Sequence, residues 1–341
     1  MDVRLSAEQK ALRDAAGRVV DRLGPQAVGQ LDDRERAAKL DAAVVSSGWR
    51  DLRTPNEDGL PWASAVEVAI VAEELARGRA DTPYLGPTLA AELRRHADAP
   101  EATGRETVAL TPDLTAPAVA GDDAVAIDAA GAKAALLLAP GDGGYTVASV
   151  AVTGTTTAVD LTRPTVALST SSASVVADRS RPIGEDNLRR WTALGLATTC
   201  ADLVGTMQGA IDLTVGYAKQ RKQFGKQIGS FQALQHLLVD TVVHLEGSRT
   251  DALYAAWAVD ALPPADALAA TAAAKAYASR AARLVCETAI QVHGGIGNTW
   301  DCLAHVYLRR ALFATDVLGG VGTNLGRVLA HAGIGGTDGL R

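Results

Sequence analysis

The stretch RKQFGKQIGSFQ, residues 221–232, lies between two segments that resemble long helices, and the rest of the sequence is interpreted from it. It holds two of the chain's three phenylalanines, Phe224 and Phe231, and it places cationic side chains on both sides of Gly225. An arginine fork beside an aromatic face suits a ligand that carries both phosphate and a flat ring system. A helix cap closed by a phenylalanine plug is the alternative interpretation, and this stretch alone does not decide between the two.

A second glycine-rich stretch, AIQVHGGIGNTWD at residues 289–301, follows the end of another predicted helix. Gly294 and Gly295 permit positive φ angles and allow another molecule to approach the backbone closely. Gln291 adds a planar amide that can both donate and accept hydrogen bonds. An ordinary helix C-cap followed by a turn would explain the glycines equally well.

Composition places the chain among soluble globular proteins. Its 341 residues are 48% hydrophobic and 21% charged, which is enough for two or three domains with substantial cores. The 33 basic and 39 acidic residues give a net charge of -6, so no broad basic surface is expected for nucleic acid or anionic lipid. Any anionic ligand must therefore be bound by a local cluster.

Cysteine and histidine usage argues against a disulfide framework and against a metal site. Cys200, Cys286 and Cys302 are far apart, form no CxxC pair, and have no histidine at metal spacing, so we interpret them as core thiols in a reducing cytosol. The N-terminus is charged where a signal peptide would be apolar, and no apolar run is long enough to span a membrane. A cytoplasmic protein is expected.

Hydrophobic periodicity predicts helices, then a sheet, then a helical bundle. The first region, residues 1–105, is predicted to be all-helical, with a serine cap at Ser6. Residues 106–185 consist of short β-prone runs separated by Gly, Pro and Asp turns, which predict a small antiparallel middle β domain. Residues 186–341 predict a C-terminal helical bundle, with helices at 186–220, 230–259, 265–290, 301–314 and 317–331.

This order, together with the two motifs, resembles the acyl-CoA dehydrogenase family over nearly the whole chain. The segment LSAEQKALRDAAGRVV is similar to the family's first helix, and GWRDLRTPNEDG with VEVAIVAEELARG to its second and third. The pair RKQFGKQIGSFQ and QVHGGIGNTWD carries most of the resemblance. It implies an FAD-dependent enzyme that desaturates an acyl-CoA thioester.

In that family the flavin lies between two subunits, and one subunit reaches across to the pyrophosphate and adenosine of its neighbour's FAD. The resemblance implies that Arg221 binds the pyrophosphate, with Phe224 beside it and Gln232 on the following helix. It also implies that Gln291, Gly294 and Gly295 lie along the adenosine. All of these cross-subunit residues, which we call the clamp, are present in this sequence.

The family's catalytic glutamate, which removes the proton α to the thioester, has no counterpart at either of its usual positions. One position, counted forward from GGIG, falls on Leu318, and the other, counted back from Arg221, falls on Gly195 or Leu196. Asp202 lies seven residues beyond Gly195, on the same helix face and roughly 10 Å further along. It is the candidate catalytic base, and a surface or cap aspartate is the alternative. Asp316 is a weaker substitute, because its offset from Leu318 turns it to another face.

Elements that hold a subunit's own flavin ring in the family are also altered. The stretch ALTPDLTAPAV replaces a T-E-P-x-x-G-S-D-like strand and loop, a Trp-x-Thr element is missing, and Gly320, Val321 and Gly322 replace a Thr-Ser-Glu-like triplet. The losses fall on the part that holds a subunit's own flavin, while the clamp remains. This asymmetry resembles the heteromeric α2β2 branch, in which a shortened chain completes the site of a full-length one and which acts on steroid-derived CoA thioesters.

Three hypotheses follow. The first is a subunit that completes the flavin site of a catalytic partner chain. The second is a self-sufficient homo-oligomeric dehydrogenase that uses Asp202 as an unusual base. The third is a non-catalytic structural paralogue. Two smaller expectations accompany them: His293 has a structural or cofactor-edge role, and Arg309 and Arg310 lie on a solvated or salt-bridged helix face.

Overall fold

The N-terminal part is all-helical, as predicted, in a computed structural model that describes residues 4–154, 156–157, 159–177 and 181–334. Ser6 caps the first helix through a capping box with Gln9, because each side chain bonds the other residue's backbone N–H. The buried faces of these helices share one core with the bundle. The helices are α1 (Ala7–Leu23), α2 (Arg34–Ser46), α3 (Ala65–Arg77) and α4 (Leu85–Ala97).

The middle region is a small β-sheet, and its strand directions differ from the prediction in one place. Within the described residues the strands are β1 (Glu106–Leu110), β2 (Asp123–Ala126), β3 (Ala134–Gly141), β4 (Gly144–Ala151), β5 (Thr156–Thr157), β6 (Thr165–Ser169) and β7 (Ser174–Val175). They lie in the order β5-β6-β2-β1-β3-β4-β7. The pair β1 and β3 is parallel, so the expectation of a purely antiparallel sheet is wrong.

The parallel pair has a simple cause in the topology. Strand β2 pairs with one edge of β1 in an antiparallel register that opposes Ala109 to Ala126, so β3 must use the other edge of β1. Because β2 runs antiparallel to β1, it ends at the end of the sheet at which β1 starts, and the segment after it crosses to the free edge of β1 at that end. Strand β3 starts there, opposite Glu106, and therefore runs in the direction of β1. Alternation of apolar residues predicts strands but carries no information on their direction.

The C-terminal helices form the expected bundle: α5 (Glu185–Gln220), α6 (Gln232–Ala261), α7 (Pro264–His293), α8 (Ala304–Asp316) and α9 (Val321–His331). Small residues allow close approach of the backbones. A β-carbon on Gly205 of α5 would lie 1.9 Å from the carbonyl oxygen of Glu73 on α3, so only glycine fits where these two helices meet. The many alanines of α7 are mostly buried, which agrees with the predicted alanine-rich packing.

A buried network of ion pairs joins the N-terminal helices, the sheet and the bundle. The Asp202 carboxylate on α5 accepts two hydrogen bonds from Arg310 on α8, at 3.1 Å from Nε and 2.6 Å from a terminal nitrogen. Arg310 also donates to the Ala80 carbonyl and to the Thr162 hydroxyl. Arg163, which follows β5, lies 3.5 Å from Asp202, so charged groups of the sheet region and the bundle meet beside a backbone carbonyl of the N-terminal region.

The remaining members of this network are in the sheet. Arg163 donates to Asp128 at 2.8 Å, and both side chains are fully enclosed. Burial raises the pKa of Asp160, whose Oδ2 has no hydrogen-bond partner among the described residues. Arg163 and Arg310 counteract that effect on Asp160, and each of the two guanidinium groups also pairs with a carboxylate, Asp128 or Asp202. Buried charges are tolerated only when they are paired and hydrogen-bonded in this way.

A buried cation holds the segment that connects α8 to α9. The Lys275 ammonium on α7 donates to the carbonyls of Thr315, Val317 and Gly319, at 2.9, 3.1 and 3.4 Å. It therefore acts as a remote C-terminal cap for α8, where the carbonyls carry partial negative charge. Burial lowers the pKa of Lys275 to about 7.

We expect Asp202→Asn to lower the free energy of unfolding by about 3–5 kcal/mol, because it leaves Arg310 buried without its carboxylate. The measurement is chemical denaturation of Asp202→Asn, Arg310→Met and the double variant. Because the two groups interact directly, the loss in the double variant should be much smaller than the sum of the single losses. Asp186→Asn, which removes an exposed partner of Arg189, is the matched control and should have little effect. Additive losses would contradict the coupling.

Lys275 predicts a pH dependence of stability. The unfolded chain, in which the lysine has its ordinary pKa of 10.5, binds more protons than the folded chain between about pH 7 and 10.5. The free energy of unfolding of the wild type, relative to Lys275→Met, should therefore rise with pH across that window. The same comparison with Lys39→Met, at an exposed position, is the control. A difference between wild type and Lys275→Met that stays constant with pH would contradict the prediction.

Candidate functional site

The stretch at 221–232 forms a small exposed hairpin between α5 and α6. Strands β8 (Lys222–Gln223) and β9 (Lys226–Gln227) are joined by Phe224 and Gly225, both at positive φ, at 52° and 77°. Two central residues at positive φ define the tight hairpin turn of type I′. A bulky residue there is strained, which points to a functional constraint. The Phe224 side chain is 89% exposed, so the phenylalanine plug considered above is not supported.

The cationic and amide groups of the hairpin are free to meet a ligand. Arg221 ends α5, with its backbone N–H bonded to the Tyr217 carbonyl, and its side chain is exposed. In the part of the chain that the structure describes, neither Arg221 nor Lys222 nor Lys226 has a carboxylate partner. Gln232 begins α6 and is exposed as well.

The second motif lies where α7 ends. Gly294 caps the helix with a φ of 67°, a conformation that favours glycine, so the helix end explains why glycine occupies this position. Gly295 has no such reason, since its φ is ordinary and a β-carbon on it would meet nothing within 4 Å. The missing side chain at Gly295 keeps the backbone accessible from outside the chain. Gln291, one turn earlier, is exposed on the same helix end.

A stacked pair of rings brings the two motifs together. Tyr217 in the last turn of α5 and His293 at the end of α7 stack with centroids 4.4 Å apart. His293 is buried, and its Nδ1 lies 2.7 Å from the Ala289 carbonyl, which fixes the ring. The structural role expected of His293 is thus seen here. The clamp residues of both motifs consequently lie at one end of the bundle.

These exposed groups fit one half of an FAD molecule. Arg221 with its neighbouring lysines can bind a pyrophosphate, Phe224 offers a flat apolar face, and Gln291 with the open backbone of Gly294 and Gly295 can follow an adenosine. All of these residues are exposed. They fit the pyrophosphate and adenosine half of the cofactor.

The two positions of the family's usual base coincide in space. A β-carbon on Gly195 would lie 2.2 Å from Leu318 Cδ1 and 3.4 Å from the methyl carbons of Leu89. Leu318 is completely buried. Two separate counts along the sequence therefore lead to one point, and that point is filled by the side chain of Leu318. No side chain fits at residue 195 unless Leu318 moves.

The altered ring-holding elements contact one another directly. The Leu318 N–H donates to the Leu114 carbonyl at 2.7 Å, which ties the segment after α8 to the loop after β1. Arg327 on α9 donates to the carbonyl of Leu318 at 2.6 Å and to that of Thr115 at 3.1 Å. Together with the Lys275 contacts, these bonds hold Leu318 in place at a φ of 59°.

Neither Asp202 nor Asp316, the two acids considered as substitutes for the base, occupies the position filled by Leu318. Asp202 is buried and held by Arg310, as described above, and Asp316 is exposed while Leu318 two residues later is enclosed. Arg310 was expected on a solvated or salt-bridged helix face; it is salt-bridged to Asp202 but 4% exposed, and sequence reasoning missed both its burial and its partner. Sequence reasoning also missed Lys275. The available signal was a single lysine in the alanine-rich run LAATAAAKAYA, since one charge on an otherwise apolar helix stretch requires partners.

Two general features concern membranes and metals. No helix among the described residues is both long enough and apolar enough to cross a bilayer. Over the same residues, no group of three or more His, Cys, Asp or Glu side chains is arranged to hold a metal ion. All three cysteines are buried free thiols.

Comparison with known proteins gives the same family as the two sequence motifs. Residues 192–330 match the family described as acyl-CoA dehydrogenase, C-terminal domain. The acyl-CoA dehydrogenase IpdE2 of Mycobacterium tuberculosis is 31% identical over 326 residues, covering 91% of this chain and 93% of that protein. IpdE2 of Mycolicibacterium smegmatis is 28% identical, covering 92% and 96%.

Solved structures share the fold. A chain of the ChsE4-ChsE5 complex from Mycobacterium tuberculosis superimposes with a TM-score of 0.79 at 24% identity, covering 99% of this chain and 100% of that one. A chain of the Tcur3481-Tcur3483 steroid ACAD G363A variant gives 0.78 at 23% identity, covering 96% and 98%. The match to IpdE2 of Mycobacterium tuberculosis, at 31% identity over most of both chains, shows the family. The chain belongs to the acyl-CoA dehydrogenase family, whose members are FAD-dependent flavoproteins.

Proposed function

We propose that this chain is the subunit of a heteromeric acyl-CoA dehydrogenase that completes the flavin site of a catalytic partner chain. The partner is a homologous acyl-CoA dehydrogenase subunit, the assembly is an α2β2 heterotetramer, and the substrate is an acyl-CoA thioester. In this proposal the partner contributes the catalytic base and holds the flavin ring. This chain contributes the clamp that binds the pyrophosphate and adenosine.

One contrast carries the proposal: the Leu318 side chain fills the position of the catalytic base, whereas the side chains of the clamp are exposed to solvent. Leu318 occupies the point shared by both base positions, and hydrogen bonds to Leu114 and from Arg327 and Lys275 hold the segment around it. Arg221 is exposed and has no ion-pair partner among the described residues, and Phe224 is 89% exposed although its ring meets Phe231 edge-on. The chain is thus built to bind a cofactor at its surface and lacks room for the chemistry inside.

The division of labour defines what each residue does. When bound, FAD accepts the hydride that leaves the β carbon of the substrate. Arg221, with Lys222 and Lys226 nearby, neutralises the pyrophosphate, and charge-assisted hydrogen bonds fix its position. Phe224 packs beside the cofactor, and Gln291 at the edge of the open glycines orients the adenosine. None of these residues moves a proton of the substrate, which is left to the partner's carboxylate.

The comparisons support two finer parts of the proposal. Two of the similar solved structures carry names of two components, ChsE4-ChsE5 and Tcur3481-Tcur3483, and the second is called a steroid ACAD. We extend this to a CoA thioester of a steroid-derived side chain or ring as the substrate class of the complex. A cytoplasmic location is also part of the proposal, resting on the three isolated thiols of the sequence.

The two other hypotheses have less support. A self-sufficient enzyme needs an acid free to accept the α proton, whereas Asp202 is held by two hydrogen bonds from Arg310 in a buried network. A non-catalytic paralogue would have no use for a strained phenylalanine at an exposed turn beside free cations, because strain without function is costly. The clamp therefore favours the first hypothesis.

The proposal predicts how flavin distributes between preparations. The chain purified alone should carry little FAD and show no dehydrogenase activity, because it offers only one wall of the site. Coexpression with the homologous chain encoded beside it should give a yellow complex with activity on a steroid-derived acyl-CoA. Visible flavin absorbance, size by light scattering and turnover are the measurements. A yellow, active homo-oligomer of this chain alone would overturn the proposal.

Arg221→Ala tests the clamp inside the complex. Loss of a charged hydrogen bond to pyrophosphate should weaken FAD binding roughly 10- to 100-fold, while assembly with the partner remains intact. The readouts are flavin retained after gel filtration and the FAD concentration that restores half of the activity. Arg22→Ala, at an exposed arginine in the last turn of α1, is the matched control and should retain FAD. Unchanged FAD affinity in Arg221→Ala would remove this residue from the site.

A further inference from the structure

A second candidate binding site lies far from the clamp. A cleft of about 600 Å³ opens between the loop before α3, the end of α4, the start of α5 and the end of α6. We call it the Trp62 cleft; its rim carries Trp62, Arg181 and Arg190. The clamp lies at the opposite end of α5, so Arg190 and Arg221 are separated by about 45 Å along this helix. The cleft is therefore independent of the flavin clamp.

The floor of the cleft is a rigid, charge-paired platform. Arg53 is almost completely buried and bonds Glu92 at 3.0 and 3.1 Å and Asp260 at 3.2 Å. Glu92 also accepts hydrogen bonds from Arg95 at 2.7 and 2.9 Å. Burial alone would raise the pKa of Glu92, but its contacts with His96, Arg95 and Arg53 hold that pKa well below the usual range. The platform thus stays charged and fixed in position.

The cleft as a whole has an excess of positive charge. Its lining contains four arginines, Arg53, Arg95, Arg181 and Arg190, and two carboxylates, Glu92 and Asp260, which leaves an excess of two positive charges. This local excess stands against a net charge of -6 for the chain. Among the described residues Arg181 is exposed without a carboxylate partner, and Arg190 donates only to the Val259 carbonyl, at 2.6 Å.

An apolar aromatic face completes the cleft. Trp62 is 71% exposed and Leu60 is 60% exposed, although both belong to a short loop whose backbone is hydrogen-bonded to Thr54 and Asn56. An exposed indole in the same cleft as guanidinium groups that have no carboxylate partner among the described residues suits a ligand that combines a flat ring with an anionic group. The volume lies within the usual range of small-molecule sites.

We propose that the Trp62 cleft binds a nucleoside phosphate, with the phosphate on Arg181 and Arg190 and the base stacked on Trp62. The site goes beyond the proposed flavin-completing role and does not depend on it. Because of the two arginines, a nucleoside phosphate should bind more tightly than a neutral aromatic compound. Because of the indole, it should also bind more tightly than an inorganic anion.

The test uses the full-length chain with ADP, pyrophosphate and adenosine as probes. Isothermal titration gives the affinities and is carried out in the Arg221→Ala background, because the intact clamp would itself bind ADP. Quenching of tryptophan fluorescence reports ring stacking. ADP should bind more tightly than either fragment and quench the emission. Arg181→Gln with Arg190→Gln should weaken ADP and pyrophosphate roughly 10-fold or more. Trp62→Leu should weaken ADP and adenosine and abolish the quenching, while pyrophosphate binding persists.

Matched controls separate this cleft from the clamp and from general surface effects. Trp300→Leu removes another exposed indole, and Arg221→Ala removes the clamp arginine; both should leave ADP binding and quenching at this site unchanged. Arg181→Gln and Trp62→Leu alter exposed side chains, so they remain informative if Arg190→Gln unfolds the chain. The proposal is overturned if ADP does not bind, if binding is lost in Arg221→Ala, or if Trp62→Leu and Arg181→Gln bind ADP like the wild type.

Discussion

The buried pairing of Asp202 with Arg310 is the contact on which the arrangement of the molecule depends. It links α5 to α8, and through Arg163 and Asp128 it joins the sheet to both helices. A charge buried in this way is tolerated only with its partners in place, so the sheet cannot shift against the bundle without exposing an unpaired ion. The relative position of the sheet and helices is therefore specified by polar contacts as well as by apolar packing.

That fixed arrangement brings the loop after β1 onto the segment after α8. The Leu114 carbonyl accepts from Leu318, and Arg327 spans Leu318 and Thr115. The elements that resemble the ring-binding parts of the family therefore satisfy one another's hydrogen bonds. The clamp at the other end of α5 leaves its polar groups exposed to be satisfied by a ligand. Under the proposed function, this arrangement closes the chain toward a flavin ring of its own and leaves it open toward a cofactor at its surface.

Much of the fold could be predicted from sequence, because helix caps and periodicity are local signals. The predicted α5 at 186–220 and the observed Glu185–Gln220 differ by one residue. Strand direction in the β1 and β3 pair could not be predicted, since it depends on which edge of β1 is already occupied. The clamp residues could be predicted because they are contiguous in two motifs, and their role in binding stays a prediction. The network of Asp202, Arg310 and Arg163 was not, because its members are far apart in sequence and each alone resembles an ordinary charged surface residue.

The coincidence of Gly195 and Leu318 explains why losing a base and closing a pocket belong together. A carboxylate at Leu318 would lie near Leu89 and away from water, and the nearby cations of Lys275 and Arg327 are already bonded to backbone carbonyls of this segment. An enzyme accepts that cost because the acid is needed when substrate fills the pocket. A subunit that leaves the chemistry to its partner has no such need, and a leucine in contact with a glycine then packs the space at native density. Under the proposed function, the apolar filling of this point and the polar, exposed clamp are two results of one division of labour between chains.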